Sequence, residues 1–366
     1  MASSANIRLR RLVKTGLASA LHWTRGDELI AGLAGAKRMP VVLTYHRVVE
    51  DFQAEARRAM PAMLISRRML ERHLEWLARR FRVVSLDDLG EHLERGESTG
   101  EPLAAVTFDD GYRDVYENAF PLLKRKGIPA AFFVVTDLIG TSYLQIYDRL
   151  YELLRQAISR NGQVAPLEVV LHDLGLRLPR IAGLSNDAGS LLVTHALLGS
   201  LSQADIQRVI TRLEAEAELD EQALAGFLPL TWAMLEEMVG AGMTVGSHTR
   251  THASLTNEGP KKVVDELVGS RTELERKLRI RAEHFAYPDG RFSAGVLRAV
   301  ARAGYRYAYT TCAHQDVTYP LLTIPRIVLW EHSTLDALGR FSPAIMSCQV
   351  RRIFDLMRAC SQDHGG

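Results

Sequence analysis

The chain has 366 residues, 47% hydrophobic and 24% charged, the profile of an ordinary globular protein with a core large enough for one big domain. A formal charge of +2 gives no support to a polyanionic partner, so no nucleic acid is expected. Cys312, Cys348 and Cys360 show no Cys-x-x-Cys spacing, which excludes a disulfide framework and suits a reducing, cytoplasmic setting.

Along the chain, residues 1–40 come first as an N-terminal helical segment. Arg8, Arg10, Arg11 and Lys14 precede a short apolar stretch, 15–23, that contains His22. That is too short to span a bilayer, which takes roughly 18 apolar residues, and it is a poor signal peptide. Two readings stay open: a helix packed on the domain, or an amphipathic helix making peripheral contact with an anionic membrane.

Short, near-continuously apolar runs follow at 41–46, 82–86, 103–109, 130–137, 243–248, 284–288, 305–311 and 321–328. Such runs suit parallel strands covered on both faces. Helical patterns separate them. In 66–80, Met69, Leu70, Leu74 and Leu77 share a face behind Ser66 as N-cap. Helices are also expected at 112–126 before Gly127, 231–241 before Gly242, and 293–303 before Gly304. Another opens at Pro260 and runs to 278, with Glu266, Glu273 and Arg276 on its polar side. The alternation predicts an α/β fold, a (β/α) barrel of seven or eight strands with some distortion. Its two parts are 41–137 and 231–335. Between them 138–230 breaks the rhythm and is expected to be a helical insertion, with helices at 143–158 and 203–219. Residues 336–366 form a C-terminal helical tail.

Four of the runs end on ionisable residues: His46, Asp109-Asp110, His248 and, a little beyond its strand, Asp289. In a parallel barrel, strand C-termini share one rim, where active sites assemble. Asp109-Asp110-Gly111 alone could be a turn, and two of 12 histidines fall four apart easily by chance. Together, two carboxylates and His248-x-x-x-His252 supply three metal ligands and leave one carboxylate as a base, the equipment of a metal-assisted hydrolase. In the Phe285–Gly290 segment, a backbone N–H of Asp289 or Gly290 is a candidate oxyanion donor.

With those residues assembled, the chain resembles the polysaccharide deacetylase family of carbohydrate esterases. Thr107-Phe108-Asp109-Asp110-Gly111 matches its first motif, and His248-Thr249-Arg250-Thr251-His252 its second. Leu43-Thr44-Tyr45-His46 is similar to a strand of members acting in exopolysaccharide synthesis. The resemblance implies that Asp109 is the general base, that Asp110, His248 and His252 hold a divalent metal, most simply Zn²⁺, and that His46 is the general acid. It implies hydrolysis of N-acetyl groups on amino sugars of a polysaccharide or its precursor. The third motif departs: Ala286-Tyr287-Pro288-Asp289-Gly290 lacks the arginine that orients the base. Arg326 is a stand-in, although a surface salt bridge is the ordinary fate of a lone arginine; otherwise a non-catalytic carbohydrate-binding relative is the alternative. The family's C-terminal histidine motif is missing, and His332 replaces it only if the chain bends back.

Overall fold

The structure, a computed structural model, describes residues 4–33, 40–96, 100–161, 165–176, 187–215 and 225–355. All eight apolar runs contain strands: β1 (Val41–Tyr45), β2 (Arg82–Val83), β3 (Leu103–Phe108), β4 (Ala131–Val134), β5 (Thr244–Ser247), β6 (His284–Ala286), β7 (Tyr307–Thr310), β8 (Ile324–Pro325) and β9 (Ile327–Val328). Every ladder among them is parallel, in the order β8-β7-β6-β5-β4-β3-β1-β9, with β2 on the start of β3. The last run is split. Residues 324–325 pair with β7 and residues 327–328 pair with β1, so one segment closes the ring with Arg326 at its centre. A nearly closed (β/α) barrel results. Strands β3 and β4 are buried along their whole lengths, as their unbroken apolar sequences require.

The described α-helices of seven residues or more are α1 (Ser4–Trp23), α2 (Gly26–Leu33), α3 (Arg67–Ala78), α4 (Leu86–Arg95), α5 (Phe120–Lys126), α6 (Ile146–Asn161), α7 (Ala165–Asp173), α8 (Asp187–Ser200), α9 (Gln203–Glu214), α10 (Trp232–Gly240), α11 (Pro260–Leu278), α12 (Ala294–Arg302) and α13 (Pro343–Val350). Ser66, Thr231 and Ser293 each accept a bond from the amide three residues on, the N-cap geometry that starts a helix. The helix expected over 112–126 begins instead as a π-turn, Val115–Ala119, and becomes α-helical at Phe120. Pro121 explains the switch, since it has no N–H to give the i−4 carbonyl.

Between β4 and β5, helices α6 to α9 bury Leu150, Leu153, Leu154, Val193, Leu197, Val209 and Ile210 in a hydrophobic cluster of their own. Helices α7 and α8 lie between the two helices expected in this insertion. Helix α8 carries apolar residues around most of its circumference, so no single stripe reveals it. The end of the helix expected at 203–219 lies partly outside the described residues. At the chain's start, α1 and α2 pack on α13, with Ala18, Leu21 and Ile30 against Ala344, Ile345 and Cys348. Asp27 accepts a hydrogen bond from the Ser347 hydroxyl at 2.6 Å. Cys312 and Cys348 are buried and form no disulfide, and Cys360 lies outside the described residues.

Candidate active site

Parallel strands bring their C-terminal residues to one rim. The Asp109 amide donates to the Tyr45 carbonyl and the His248 amide to the Val134 carbonyl, each at 2.9 Å, which fixes β1 against β3 and β4 against β5 at that rim. Beyond β3 the backbone turns through two left-handed residues, Asp110 (φ 75°) and Gly111 (φ 74°). A side chain at 111 would meet Val134 and Ile139 at 3.1–3.2 Å, so the turn needs glycine for room as well as for conformation. This turn sends the two carboxylates of Asp109 and Asp110 to different partners.

Asp110 meets the two imidazoles. Its Oδ1 lies 3.4 Å from His248 Nε2 and 3.3 Å from His252 Nε2, and the three ligand atoms lie within 4.8 Å of one another. The other nitrogen of His248 faces the Ala286 carbonyl at 2.8 Å. That bond requires a proton on Nδ1 and turns Nε2 toward Asp110. Both Asp110 carboxylate oxygens are buried with no hydrogen-bond partner. Burial raises the carboxyl's affinity for a proton, but His248, His252 and His46 outweigh it and hold Asp110 well below the usual carboxylate range. A buried carboxylate this close to two imidazole nitrogens is stabilised by positive charge at the centre of the three, the place a bound cation would take. Ligands on a tetrahedral zinc at about 2.0–2.1 Å stand about 3.3–3.4 Å apart, matching both Asp110 distances. The donor set fits a divalent metal.

The loop that carries the second histidine is held from behind. Thr249 (φ 68°) and His252 (φ 60°) are left-handed, and the His252 amide bonds the Thr249 hydroxyl at 2.9 Å. Glu266 Oε2 accepts the Arg250 and Thr251 amides at 2.7 and 2.9 Å. Glu266 is completely buried, not on the solvent side of α11 as the helical pattern suggested. It acts as a brace because two orphan amides of a tight loop need an acceptor. Tyr147 of α6 sets its ring edge against His252, centroids 4.9 Å apart, and bonds the Tyr112 hydroxyl, which donates to Asp148.

Burial pushes the Asp148 carboxyl up to about 7, against the Tyr112 bond and the Arg47 charge. A carboxyl raised in this way is more protonated folded than unfolded, so stability falls as pH climbs from about 4 to about 7. The loss is on the order of 4 kcal/mol at most. Asp148→Asn should level that decline and raise the thermal midpoint at pH 8. An unchanged profile from pH 4 to 8 would show that Asp148 is ionised throughout.

Asp109 faces the barrel axis. Arg326 grips it with two bonds, Nη1 to Oδ1 at 2.6 Å and Nη2 to Oδ2 at 2.7 Å. Nη1 also donates to Thr44 and Thr107, each at 3.2 Å. Arg326 is 1% exposed, so this is no surface pair. Burial alone would raise the Asp109 carboxyl, but Arg326 leads the charges that hold it below its ordinary value. Removing one member of such a pair strands the other in a dry site, typically at about 3–5 kcal/mol. Arg326→Met should therefore lose about that much stability to urea; a loss below about 1 kcal/mol would show that water reaches Asp109.

His46, directly after β1, lines the same cavity, and its buried Nδ1 has no hydrogen-bond partner. Asp289 lines it too, in a left-handed turn (φ 55°). Of the two amides considered as oxyanion donors, that of Gly290 is taken by the Tyr287 carbonyl at 2.9 Å. His332 does not line the cavity; its ring sits against Phe52 and Trp330, 4.9 and 4.8 Å between centroids.

The cavity is about 370 Å³. Sequence reasoning missed much of its wall: Met60, Ala62 and Met63 from the short 3₁₀ helix Pro61–Met63 and its N-cap, and Leu191, His195, Leu198 and Gly199 from α8. Helix α8 is tied to the rim. Arg291 donates to the Gly199 carbonyl at 2.8 Å, and Asn257 to the Leu198 carbonyl at 3.0 Å. No periodic signal marks these residues, because their apolar faces serve a cavity and a core at once.

The polysaccharide deacetylase family model matches residues 96–308. The chain belongs to the polysaccharide deacetylase family. Over 99 residues it is 26% identical to YxkH of Bacillus subtilis (strain 168), a protein named for the same family. Over 114 residues it is 27% identical to the poly-beta-1,6-N-acetyl-D-glucosamine N-deacetylase of Staphylococcus epidermidis. Those matches take in 27% and 29% of this chain and 36% and 39% of the relatives' lengths. Among solved structures, IcaB from Ammonifex degensii superposes with a TM-score of 0.53 at 19% identity, over 86% of this chain and 97% of that one. The Streptococcus pyogenes deacetylase PplD, in complex with acetate, does so at 0.52 and 18%, over 82% and 95%. Both share the fold.

Proposed function

We propose that the chain is a metal-dependent N-deacetylase that hydrolyses acetamido groups of amino sugars in a polysaccharide or its precursor. One observation carries this reading: a buried carboxylate with both oxygens unbonded, between two imidazole nitrogens and beside a second, arginine-held carboxylate. Asp110, His248 and His252 would hold the ion, zinc by the nitrogen-rich donor set. When bound, the ion would polarise the amide carbonyl and lower the pKa of a water.

The remaining chemistry belongs to the protein. Asp109, ionised and aimed by Arg326, takes a proton from water as it attacks the acetamide carbon. The Asp289 amide donates to the oxygen that gains charge. His46 protonates the leaving nitrogen, so the C–N bond breaks to give acetate and a free amine. Each turnover puts a cationic amine where a neutral acetamide stood. The non-catalytic alternative rested on a missing base-orienting arginine, and Arg326 now stands in that role. The relatives named above support the substrate class: one is described as acting on N-acetyl-D-glucosamine polymer, another as a deacetylase holding acetate.

The test is acetate release from a chitin- or β-1,6-linked N-acetylglucosamine oligomer by the purified full chain. Release that stops with a chelator and returns with added zinc supports the reading. Hydrolysis indifferent to chelation, or binding with no acetate formed, would overturn it.

A further inference from the structure

Helix α1 turns an apolar face away from the protein. At 3.6 residues per turn, Leu12, Val13, Gly16, Leu17, Ala20 and Trp23 fall within about 140° of arc. All are exposed: Leu12 by 58%, Val13 by 61%, Leu17 by 50% and Trp23 by 87%. Ala18, on the opposite side of the helix, is buried against α13. The helix is thus apolar on both sides, and among the described residues only the inner side is covered. Leu29 of α2, 66% exposed, extends the patch. A soluble surface seldom leaves so continuous a stripe, with an indole at its end, facing water.

Charge selects the occupant. Residues 1–40 carry seven Lys and Arg against two carboxylates, whereas the remaining residues carry 38 against 41. One of those two carboxylates, Asp27, is buried on Ser347. Exposed Arg11 precedes the stripe and exposed Arg25 follows it. We propose that this face lies in the plane of an anionic bilayer surface, apolar side chains among the acyl boundary and Trp23 at headgroup depth. No helix among the described residues is long and apolar enough to cross a membrane, so the contact is peripheral. The inner side of the helix joins the body of the protein near the cavity wall. Lys14 bonds the Ser333 carbonyl at 2.9 Å, next to His332, whose ring touches Phe52, a member of the same hydrophobic cluster as the wall residue Met60. The inference stands whether or not the cavity deacetylates sugars.

The full chain should co-sediment with phosphatidylcholine vesicles containing phosphatidylglycerol, at least tenfold more than with phosphatidylcholine alone, and the excess should fade as salt rises. The variant carrying Leu12→Ser, Leu17→Ser and Trp23→Ser should lose at least tenfold in partitioning, with an unchanged circular dichroism spectrum and unchanged hydrolysis of a soluble oligomer. Equal failure to bind both vesicles overturns the proposal. So does a triple variant that binds like the parent. Concentration-dependent self-association that the triple variant abolishes, without vesicle binding, would instead assign the face to a second copy.

Discussion

Replacing His248 by alanine is expected to leave a folded protein that retains no stoichiometric metal and releases no measurable acetate. His248 contributes one of the three donors around the proposed ion, and its ring is fixed by the Ala286 carbonyl. Losing even an outer partner of a metal ligand commonly costs about 10–100-fold in affinity; losing the ligand itself should cost more. Asp110 would then keep one imidazole at 3.3 Å and gain an empty space on its other side. Elemental analysis after dialysis measures the loss directly. Full occupancy in the His248→Ala protein would refute the ligand assignment, and full activity without metal would refute the mechanism.

Asp109→Asn separates base from metal. The substitution keeps the side chain's size and one acceptor for Arg326, and it leaves Asp110, His248 and His252 untouched. Metal content should stay at the parental level while the rate falls by about 10²–10⁴, the usual share of a general base. Arg326 then faces a neutral amide, so some stability is lost as well, and rates should be compared well below the unfolding midpoint. The paired pattern is diagnostic: His248→Ala loses metal and turnover, Asp109→Asn turnover alone. Near-normal turnover in Asp109→Asn would mean that another group accepts the proton, and His46 would be next to test.

The barrel was legible because its strands are short, apolar and bounded by glycine and capping residues, and all eight runs contain the strands they promised. The rim was legible for the same reason: parallel strands force residues 46, 109, 110 and 248 to one end. Arg326 was harder, because a lone arginine in an apolar run looks the same whether it points to water or to a buried carboxylate. Only the closing of the ring, which brings residues 324–328 between β7 and β1, shows which. Glu266 was misread because a charged residue in a helix ordinarily marks the wet face, whereas here two amides of a strained loop draw it inward. The α8 wall was missed because a helix that packs on one side and lines a cavity on the other has no polar stripe. What escaped the sequence reading were long-range pairings that create no local pattern.

The split strand at Arg326 ties assembly to competence. Residue 109 leaves the ribosome more than two hundred residues ahead of residue 326, so the nascent chain carries an acidic group with no counter-ion for most of its synthesis. The guanidinium arrives on the segment that completes the ring, so docking that segment neutralises the interior and aims the base in one event. A chain cut before that segment should have neither a closed wall nor a working acid–base centre, and partial barrels would be catalytically silent by construction.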